Sequence, residues 1–193
     1  MTSFADADTS TQLSIDARAN SEVSTAADDL DVESFKSAFR DHPSGVALIT
    51  ADAGDGPVAL TATSVLSVSA EPPLLAFSVS EVSSSTPTIL RAETVVVHLL
   101  GSSQLSIAKL GSTSGIDRFA DKTLWSTLPT GEAYFPSSQV WIRGAVVNKI
   151  DAGQATIVIV RALQAELTRS DDAEPLVYHN RTWHRLGRQS ELD

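Results

Sequence analysis

Apolar and polar residues alternate along residues 58–69, near the middle of a chain of 193 residues. A period of two is typical of a β-strand with one apolar and one polar face. Two further apolar runs, at 74–80 and 94–100, predict a second and a third strand. The pattern therefore predicts one long first strand, whose apolar face carries Val58, Leu60, Ala62, Ser64, Leu66 and Val68.

A loop dense in serine and threonine separates the second and third predicted strands. Thr86 precedes Pro87, and proline is favoured where a helix begins, so we predict a short helix with Thr86 as N-cap that ends near Ala92. Such a helix start can bind phosphate, because its N–H donors and its positive dipole end point outward. The alternative interpretation is a capped helix that binds no ligand.

The rest of the chain reads as strands with helices inserted between them. Helices are predicted at 32–42, capped by Asp31 or one of its neighbours, and at 102–110. A glycine-rich turn at 53–56 and an Asn180-Arg181 turn each predict a hairpin. This order differs from the regular alternation of a parallel nucleotide-binding sheet. A closed antiparallel barrel with peripheral helices fits better, because closure removes exposed strand edges. The remaining predicted strands are 45–51, 139–152, 154–167, 175–180 and 182–186.

Charge divides the chain unevenly. The formal net charge is −10, and residues 1–33 contain eight acidic residues and one arginine, which gives −7 for that segment. Residues 1–30 are also poor in large apolar side chains, so we predict a disordered acidic extension, with an interaction tail as the alternative. We expect one domain at 31–187 and a tail at 188–193. The acidic balance argues against nucleic-acid binding.

Composition excludes several kinds of chemistry. The chain has no cysteine, so it contains no disulfide, cysteine-ligated metal or thiol nucleophile. Its four histidines are scattered, and we expect no metal site. Phosphate-loop, GxGxxG and GxSxG motifs are absent. No apolar run is long enough to cross a membrane and the N-terminus lacks the pattern of a secretory signal, so we expect a soluble cytoplasmic protein.

Several ordered segments together carry a family resemblance. These are TATSVLSVSAEPPLLAFSV from Thr61, SSSTPTILRAETVVVHLL from Ser83, and DRFA from Asp117. In this order and spacing they resemble the flavin reductase family, the FMN-binding split-barrel group that includes the small components of two-component monooxygenases. The resemblance begins near Phe35, ends with PLVYHNRTWHRLG, and spans about four-fifths of the chain.

The resemblance implies a mainly β fold, a six-stranded antiparallel split barrel of Greek-key type with peripheral helices, which forms homodimers. It also implies an NADH- or NADPH-dependent reductase of FMN or FAD that supplies reduced flavin to a partner monooxygenase. Two alternatives stay open. One is an auxiliary flavin-binding protein without reductase activity of its own; the other is an oxidase or dehydrogenase that uses bound flavin on its own substrate.

The same resemblance implies a flavin site. The isoalloxazine ring would lie along Thr61, Ala62, Thr63 and Ser64, and its polar atoms would need hydrogen-bond donors. The phosphate would lie at the loop before the short helix, with a cation to balance its charge. The implied phosphate-binding residues are Ser84, Ser85, Thr86, Arg118 and Phe119. No residue is assigned a catalytic role.

Three positions depart from the family pattern. Gly153-Gln154-Ala155 stands where the family commonly has Gly-Asp-His, so the histidine expected near the nicotinamide is missing. Val160 replaces a small glycine, which predicts a narrower site. His98 stands where an asparagine is usual; we expect a packed or hydrogen-bonded histidine, with a polar contact to the cofactor as the alternative. These departures put turnover with NAD(P)H in question.

Overall fold

The computed structural model describes residues 29–168 and 173–192. Residues 1–28 of the predicted acidic extension and Asp193 of the predicted tail lie outside the described residues. The helices are α1 (Val32–Arg40), α2 (Thr86–Arg91) and α3 (Leu105–Ser112), with 3₁₀ turns at Ser102–Gln104 and Arg188–Ser190. The strands are β1 (Ser44–Gly45), β2 (Ala47–Ala51), β3 (Val58–Ala62), β4 (Leu66–Ala70), β5 (Pro73–Ser80), β6 (Thr94–Leu99), β7 (Ser126–Thr127), β8 (Ala133–Tyr134), β9 (Val140–Ala152), β10 (Ala155–Leu167), β11 (Leu176–His179) and β12 (Thr182–Arg185).

The strands form one large antiparallel sheet and two small ones. The large sheet has seven strands in the order β3-β2-β6-β9-β10-β5-β4. Strand β1 pairs with the β11–β12 hairpin, and β7 pairs with β8. The predicted mainly β, antiparallel architecture with peripheral helices is confirmed, although the large sheet has seven strands where the resemblance implies six.

The prediction of one long strand at 58–69 is wrong, and the place where this segment is divided shows how the sheet curls. The alternating segment is divided into β3 and β4, which lie at opposite edges of the large sheet. In a flat sheet these edges would be ~29 Å apart, but the four Cα steps from Ala62 to Leu66 span at most ~15 Å. The sheet must therefore curl until its edges approach, which gives a barrel that is split between β3 and β4.

Ser64 forms side-chain hydrogen bonds to β5 next to this split. Its hydroxyl accepts a hydrogen bond from Ser78 N (3.0 Å) and lies 3.3 Å from Ser78 O, and Ser78 belongs to β5. The connection between the two edges is thus held by a side chain where the strands themselves do not pair.

One apolar cluster fills the inside of the barrel, an outer one lies beneath α3, and a small third one contains Val96, Leu128 and Trp141. The alternating residues Ala47, Ile49 and Ala51 of β2 point into the barrel, whereas Val46 and Leu48 pack against the outer cluster beneath α3. Every residue of β2 is buried, because both of its faces are covered. The predicted apolar face of 58–69 does not persist into β4, where Leu66 and Val68 are 54% and 49% exposed.

The turn and helix predictions hold with small shifts. Asn180 and Arg181 form the β11–β12 turn with φ of 47° and 61°, the left-handed geometry of a tight hairpin. Helix α1 is capped by Asp31, whose side chain accepts from Glu33 N and Ser34 N. Helix α2 begins at Thr86, so its N-cap is Ser85, one residue before the predicted cap. Within the described residues, no helix combines the length and apolar character needed to cross a membrane.

Candidate functional site

Of the four residues predicted to contact a flavin ring, Thr61 and Ala62 end strand β3, and Thr63 and Ser64 follow it. Their side chains point in different directions. Thr61 lies under α3 and donates its hydroxyl to Ala108 O (2.7 Å). The close approach requires Gly111, because a Cβ there would clash with the Thr61 hydroxyl. Ala62 is buried in the barrel, whereas Thr63 is exposed. Thr63 is therefore the residue of the three whose side chain is accessible to a ligand.

The loop before α2 is held against the barrel by its own hydroxyl groups. Ser85 is buried and donates to Ala59 O of β3 (2.9 Å). Thr86 is also buried and donates to Ser80 O at the end of β5 (2.6 Å). Ser84 between them is exposed. The two buried hydroxyls thus fix the loop on β3 and β5, and Ser84 faces solvent.

Arg118 reaches this loop from the segment after α3. Its Nη1 donates to Ser85 Oγ (3.3 Å) and its Nη2 to Thr113 O (2.7 Å). The Nε atom is buried and has no hydrogen-bond partner. Partial burial lowers the pKa of the Arg118 guanidinium, because it removes part of the solvation of the charge. A cation that contacts Ser85 and keeps one donor without a partner fits an anion such as a phosphate.

Two predicted site residues belong instead to the outer apolar cluster. Phe119 is 5% exposed and packs edge-on against Trp125 (centroids 5.2 Å apart), and it also contacts Phe135. His98 is fully buried; its Nδ1 lies 3.0 Å from Leu48 O, and its Nε2 accepts from Phe135 N (3.1 Å). Both ring nitrogens are therefore occupied by the backbone, which matches the expectation of a hydrogen-bonded histidine. Neither side chain faces the Ser85–Arg118 cluster.

The predicted phosphate-binding and ring-binding residues lie near opposite ends of β3. Ser85 and Arg118 meet at Ala59, and Thr63 and Ser64 lie at the other end of the strand. At ~3.3 Å per residue, Ala59 and Thr63 are ~13 Å apart. This separation suits an elongated ligand with a phosphate at one end and a ring at the other.

A cleft opens beside Thr63 and Ser64. It has a volume of about 940 Å³ and lies between α1, the β11–β12 turn and the connection from β3 to β4. Phe35, Phe39 and Tyr178 line it, and the sequence reasoning assigned none of them to the site. The sequence signal for this cleft is the pair of phenylalanines four residues apart, a spacing that also predicts a packing face. In the structure α1 has no buried residue.

The positions that depart from the family pattern lie in two places. Gln154 is in the β9–β10 turn, where its carbonyl accepts from Glu81 N (3.1 Å), and Ala155 pairs with Ser80, near the Ser83–Thr86 loop. Val160 is fully buried inside the barrel, in the space that Gly144 leaves by having no side chain. The expected narrowing of the site by Val160 is therefore wrong, because this side chain fills the core.

Metal-ligating side chains do not gather in the part of the chain that the structure describes. No group of three or more histidine, aspartate or glutamate side chains there has the arrangement of a metal site. The rings of His179 and His184 lie 5.7 Å apart across the final hairpin.

Comparison with known proteins identifies the class that this fold and site define. Residues 39–187 match the flavin reductase like domain, and the chain belongs to this family. It is 42% identical over 153 residues to a protein from Rhodococcus qingshengii named NADH:FMN oxidoreductase, a match that spans 78% of this chain and 80% of that one.

Solved structures show the same fold. A flavin reductase domain protein from Arthrobacter sp. FB24 superposes with a TM-score of 0.77 at 28% identity, over 83% of this chain and 97% of that one. BorF, the flavin reductase component of a bacterial two-component tryptophan halogenase, gives a TM-score of 0.72 at 28% identity, over 81% of this chain and 99% of that one.

Proposed function

We propose that this chain is an NADH- or NADPH-dependent flavin reductase that binds FMN or FAD along β3. Family membership and the relative named NADH:FMN oxidoreductase support this assignment. The structural observation that carries it is Arg118, whose buried Nε has no partner and whose Nη1 touches Ser85. An arginine that is fixed in place yet incompletely bonded is suited to a phosphate.

Different residues are proposed to bind the phosphate and the ring of the flavin. Arg118 and Ser84 bind the phosphate, while the Ser85 and Thr86 hydroxyls hold the loop on β3 and β5. Thr63, Ser64 and the backbone of Thr61 and Ala62 lie along the ring. The chemistry that a bound flavin supplies is the acceptance of a hydride from reduced nicotinamide. The chain contributes position, and no side chain is assigned as an acid or base.

Activity is tested with purified protein, FMN and NADH. We expect NADH to be oxidised well above the protein-free rate, as followed by its absorbance, and FMN binding to be visible in the flavin spectrum. Flavin binding without NADH oxidation would overturn the reductase assignment and favour the auxiliary flavin-binding protein. Failure to bind either FMN or FAD would overturn the site itself.

The proposal includes a partner and an assembly. BorF is a component of a two-component halogenase, and we infer by analogy that this chain passes reduced flavin to a flavin-dependent monooxygenase in the cytoplasm, where reduced nicotinamide is regenerated. We also infer a homodimer. Its support is the apolar surface of β4 and β10, where Leu66, Leu163 and Leu167 are 54%, 47% and 72% exposed. Size-exclusion chromatography with light scattering should give twice the mass of one chain. A mass equal to one chain would contradict the homodimer.

A further inference from the structure

The cleft beside Thr63 and Ser64 has a charge opposite to that of the chain as a whole. Lys36 and Arg40 of α1 and Arg181 of the β11–β12 turn line it, and its described lining residues include no aspartate or glutamate. The chain has a net charge of −10. A cationic surface on an acidic protein attracts acidic groups, including those of its own chain.

The three cations have few partners in the described part of the chain. Arg40 and Arg181 take part in none of the ion pairs found there. Lys36 pairs with Glu33 (3.0 Å), but both side chains are more than half exposed, and an exposed pair of this kind contributes little to stability. Asn180 N donates to Arg40 O (3.0 Å) and so ties the turn to the helix. The cleft therefore presents its positive charges at a fixed spacing to a further acidic group.

Helix α1, which forms one wall of the cleft, has a largely exposed apolar face. Phe35 and Phe39 are 54% and 61% exposed, and their rings lie 4.8 Å apart. No residue of α1 is buried. Apolar rings next to cations suit an acidic segment that also contains apolar side chains.

Residues 1–28 have this chemistry and are adjacent to the cleft in the sequence. They contain five acidic residues and one arginine, a formal side-chain charge of −4, and also the apolar residues Phe4, Leu13 and Ile15. They join the described chain at residue 29, three residues before α1 begins. A dozen extended residues span ~40 Å, whereas the nine-residue α1 is ~14 Å long. The segment is therefore long enough to return along α1 and enter the cleft.

We propose that residues 1–28 dock in the cleft of their own chain, where their carboxylates face Lys36, Arg40 and Arg181 and screen these cations from other anions. Because the segment is covalently joined to α1, its effective concentration at the cleft is on the order of a millimolar, so a weak affinity is sufficient. The ring end of the proposed flavin site borders the same cleft, and FMN and NADH are anions. Docking therefore lowers the access of these substrates, and this consequence, unlike the docking itself, rests on the proposed function.

Docking is tested on the full chain by zero-length carbodiimide cross-linking, which joins a carboxylate to a lysine amine in contact with it, followed by mass spectrometry. Lys36 lies in the cleft, and the exposed Lys109 and Lys122 serve as internal controls. At low salt we expect the acidic residues within 1–16 to be joined to Lys36 at least about fivefold more often than to either control lysine. The excess should fall as salt is added.

Two variants separate attraction by the cleft from mere proximity along the chain. Arg40→Gln with Arg181→Asn removes two charges from the cleft and keeps Lys36 as the reporter, since asparagine tolerates the positive φ at position 181. Arg185→Gln with Arg188→Gln removes the same charge outside the cleft. We expect cross-links to Lys36 to fall about threefold in the cleft variant and to stay unchanged in the control.

Equal cross-linking of Lys36 in the wild type and the cleft variant would overturn the proposal, as would no excess at Lys36 in the wild type. Should the cleft variant not fold, as judged by circular dichroism, Arg181→Asn alone replaces it, because this side chain is exposed. A fall in cross-links in that single variant supports docking, and an unchanged yield contradicts it.

A mixture of isotopically labelled and unlabelled chains, left to exchange subunits before cross-linking, identifies the chain that supplies the segment. Linked peptides of a single isotope support docking within one chain. Linked peptides that combine both isotopes would show that a second copy supplies the segment and would overturn the proposal.

Kinetics tests the consequence for the substrates. A variant with Asp6→Asn, Asp8→Asn and Asp16→Asn should raise kcat/KM for NADH about threefold at low salt and have no effect at high salt. An unchanged kcat/KM in an active enzyme would overturn the screening of the cleft. Cross-links to Lys36 in a protein that oxidises no NADH would refute the proposed function and leave the docking standing.

Discussion

Two basic side chains, the fully buried His98 and the partly buried Arg118, show how a structural role differs from a binding role. Both ring nitrogens of His98 are bonded to backbone groups of Leu48 and Phe135. Arg118 is held by Ser85 and Thr113, yet its buried Nε has no partner. A buried polar group that is fully satisfied stabilises the fold, whereas one that is fixed but incompletely bonded has capacity left for a ligand.

The pKa of each group follows from the same difference. Burial lowers the pKa of His98 to about 4, although its hydrogen bond to Leu48 opposes the shift, so the ring is neutral at neutral pH. Burial also lowers the pKa of Arg118, but an arginine remains charged. Desolvation therefore keeps His98 neutral, whereas Arg118 keeps its charge and has one donor, Nε, without a partner. An anion beside Arg118 would supply the missing interaction.

The largest expected effect is the pH dependence of stability that His98 creates. In the unfolded chain the ring binds a proton below its ordinary pKa of 6.5, but in the folded protein only below about 4. The free energy of unfolding should therefore fall as the pH drops through this window, by about 3 kcal/mol in total from His98. Urea unfolding across this range, with His98→Leu as reference, isolates the contribution. Parallel curves for the two proteins would contradict it.

Removing the His98 ring should destabilise the protein at neutral pH by about 2 kcal/mol, because Leu48 O and Phe135 N lose their partners in a buried place. His98→Leu is compared by urea unfolding with His184→Leu, which is exposed and should change stability by less than about 0.5 kcal/mol. The folded His98→Leu protein should bind FMN as wild type does. A selective loss of FMN affinity would return His98 to the cofactor site.

Arg118→Met should weaken FMN binding by about 20-fold, because a charge-assisted bond to the phosphate is lost. Riboflavin has no phosphate, so its affinity should stay the same, and flavin fluorescence measures both. Arg91→Met is the matched control, since Arg91 pairs with Asp55 at an exposed position on α2. Equal losses for FMN and riboflavin would show that Arg118 acts through the fold and not through the phosphate.

The smallest expected effect is at the β9–β10 turn. Ala155→His restores the family's histidine opposite Ser80, near the loop that holds the phosphate. We expect kcat with NADH to rise severalfold while FMN affinity is unchanged. Gln154→His, one residue away and exposed, is the control. If neither variant changes kcat, the missing histidine is not what limits hydride transfer in this chain.

Local sequence signals predicted the elements that depend on local geometry. Asn180-Arg181 forms the predicted tight turn, and Asp31 caps α1 as expected, because in both cases the relevant bonds involve residues that are near in the chain. The order of the segments around Thr61, Ser83 and Asp117 was sufficient to recognise the family. Ser85 and Arg118, which that resemblance implied, are in contact.

Features that depend on distant contacts were not predictable from the pattern. The alternating pattern of 58–69 continues through Thr63–Val65 and gives no sign that the strand ends there. The strand is divided because the sheet curls and brings its two edges together. The hydroxyls of Thr61 and Ser85 look available in the sequence, yet each donates to a carbonyl brought near by folding. The resemblance implies Phe119 at the phosphate together with Arg118, but the Phe119 ring packs against Trp125 and Phe135, whereas Arg118 contacts Ser85.

The short connection from β3 to β4 contains Thr63 and Ser64, so ligand binding in the cleft should affect how readily the barrel opens. The same residues join both margins of the large sheet and border the cleft. A ligand that binds in the cleft and contacts Thr63 and Ser64 should hold the two sheet edges together, because the edges cannot separate without displacing it. Ligand binding should therefore also slow the opening of this seam, which hydrogen exchange at Ser78 N would report.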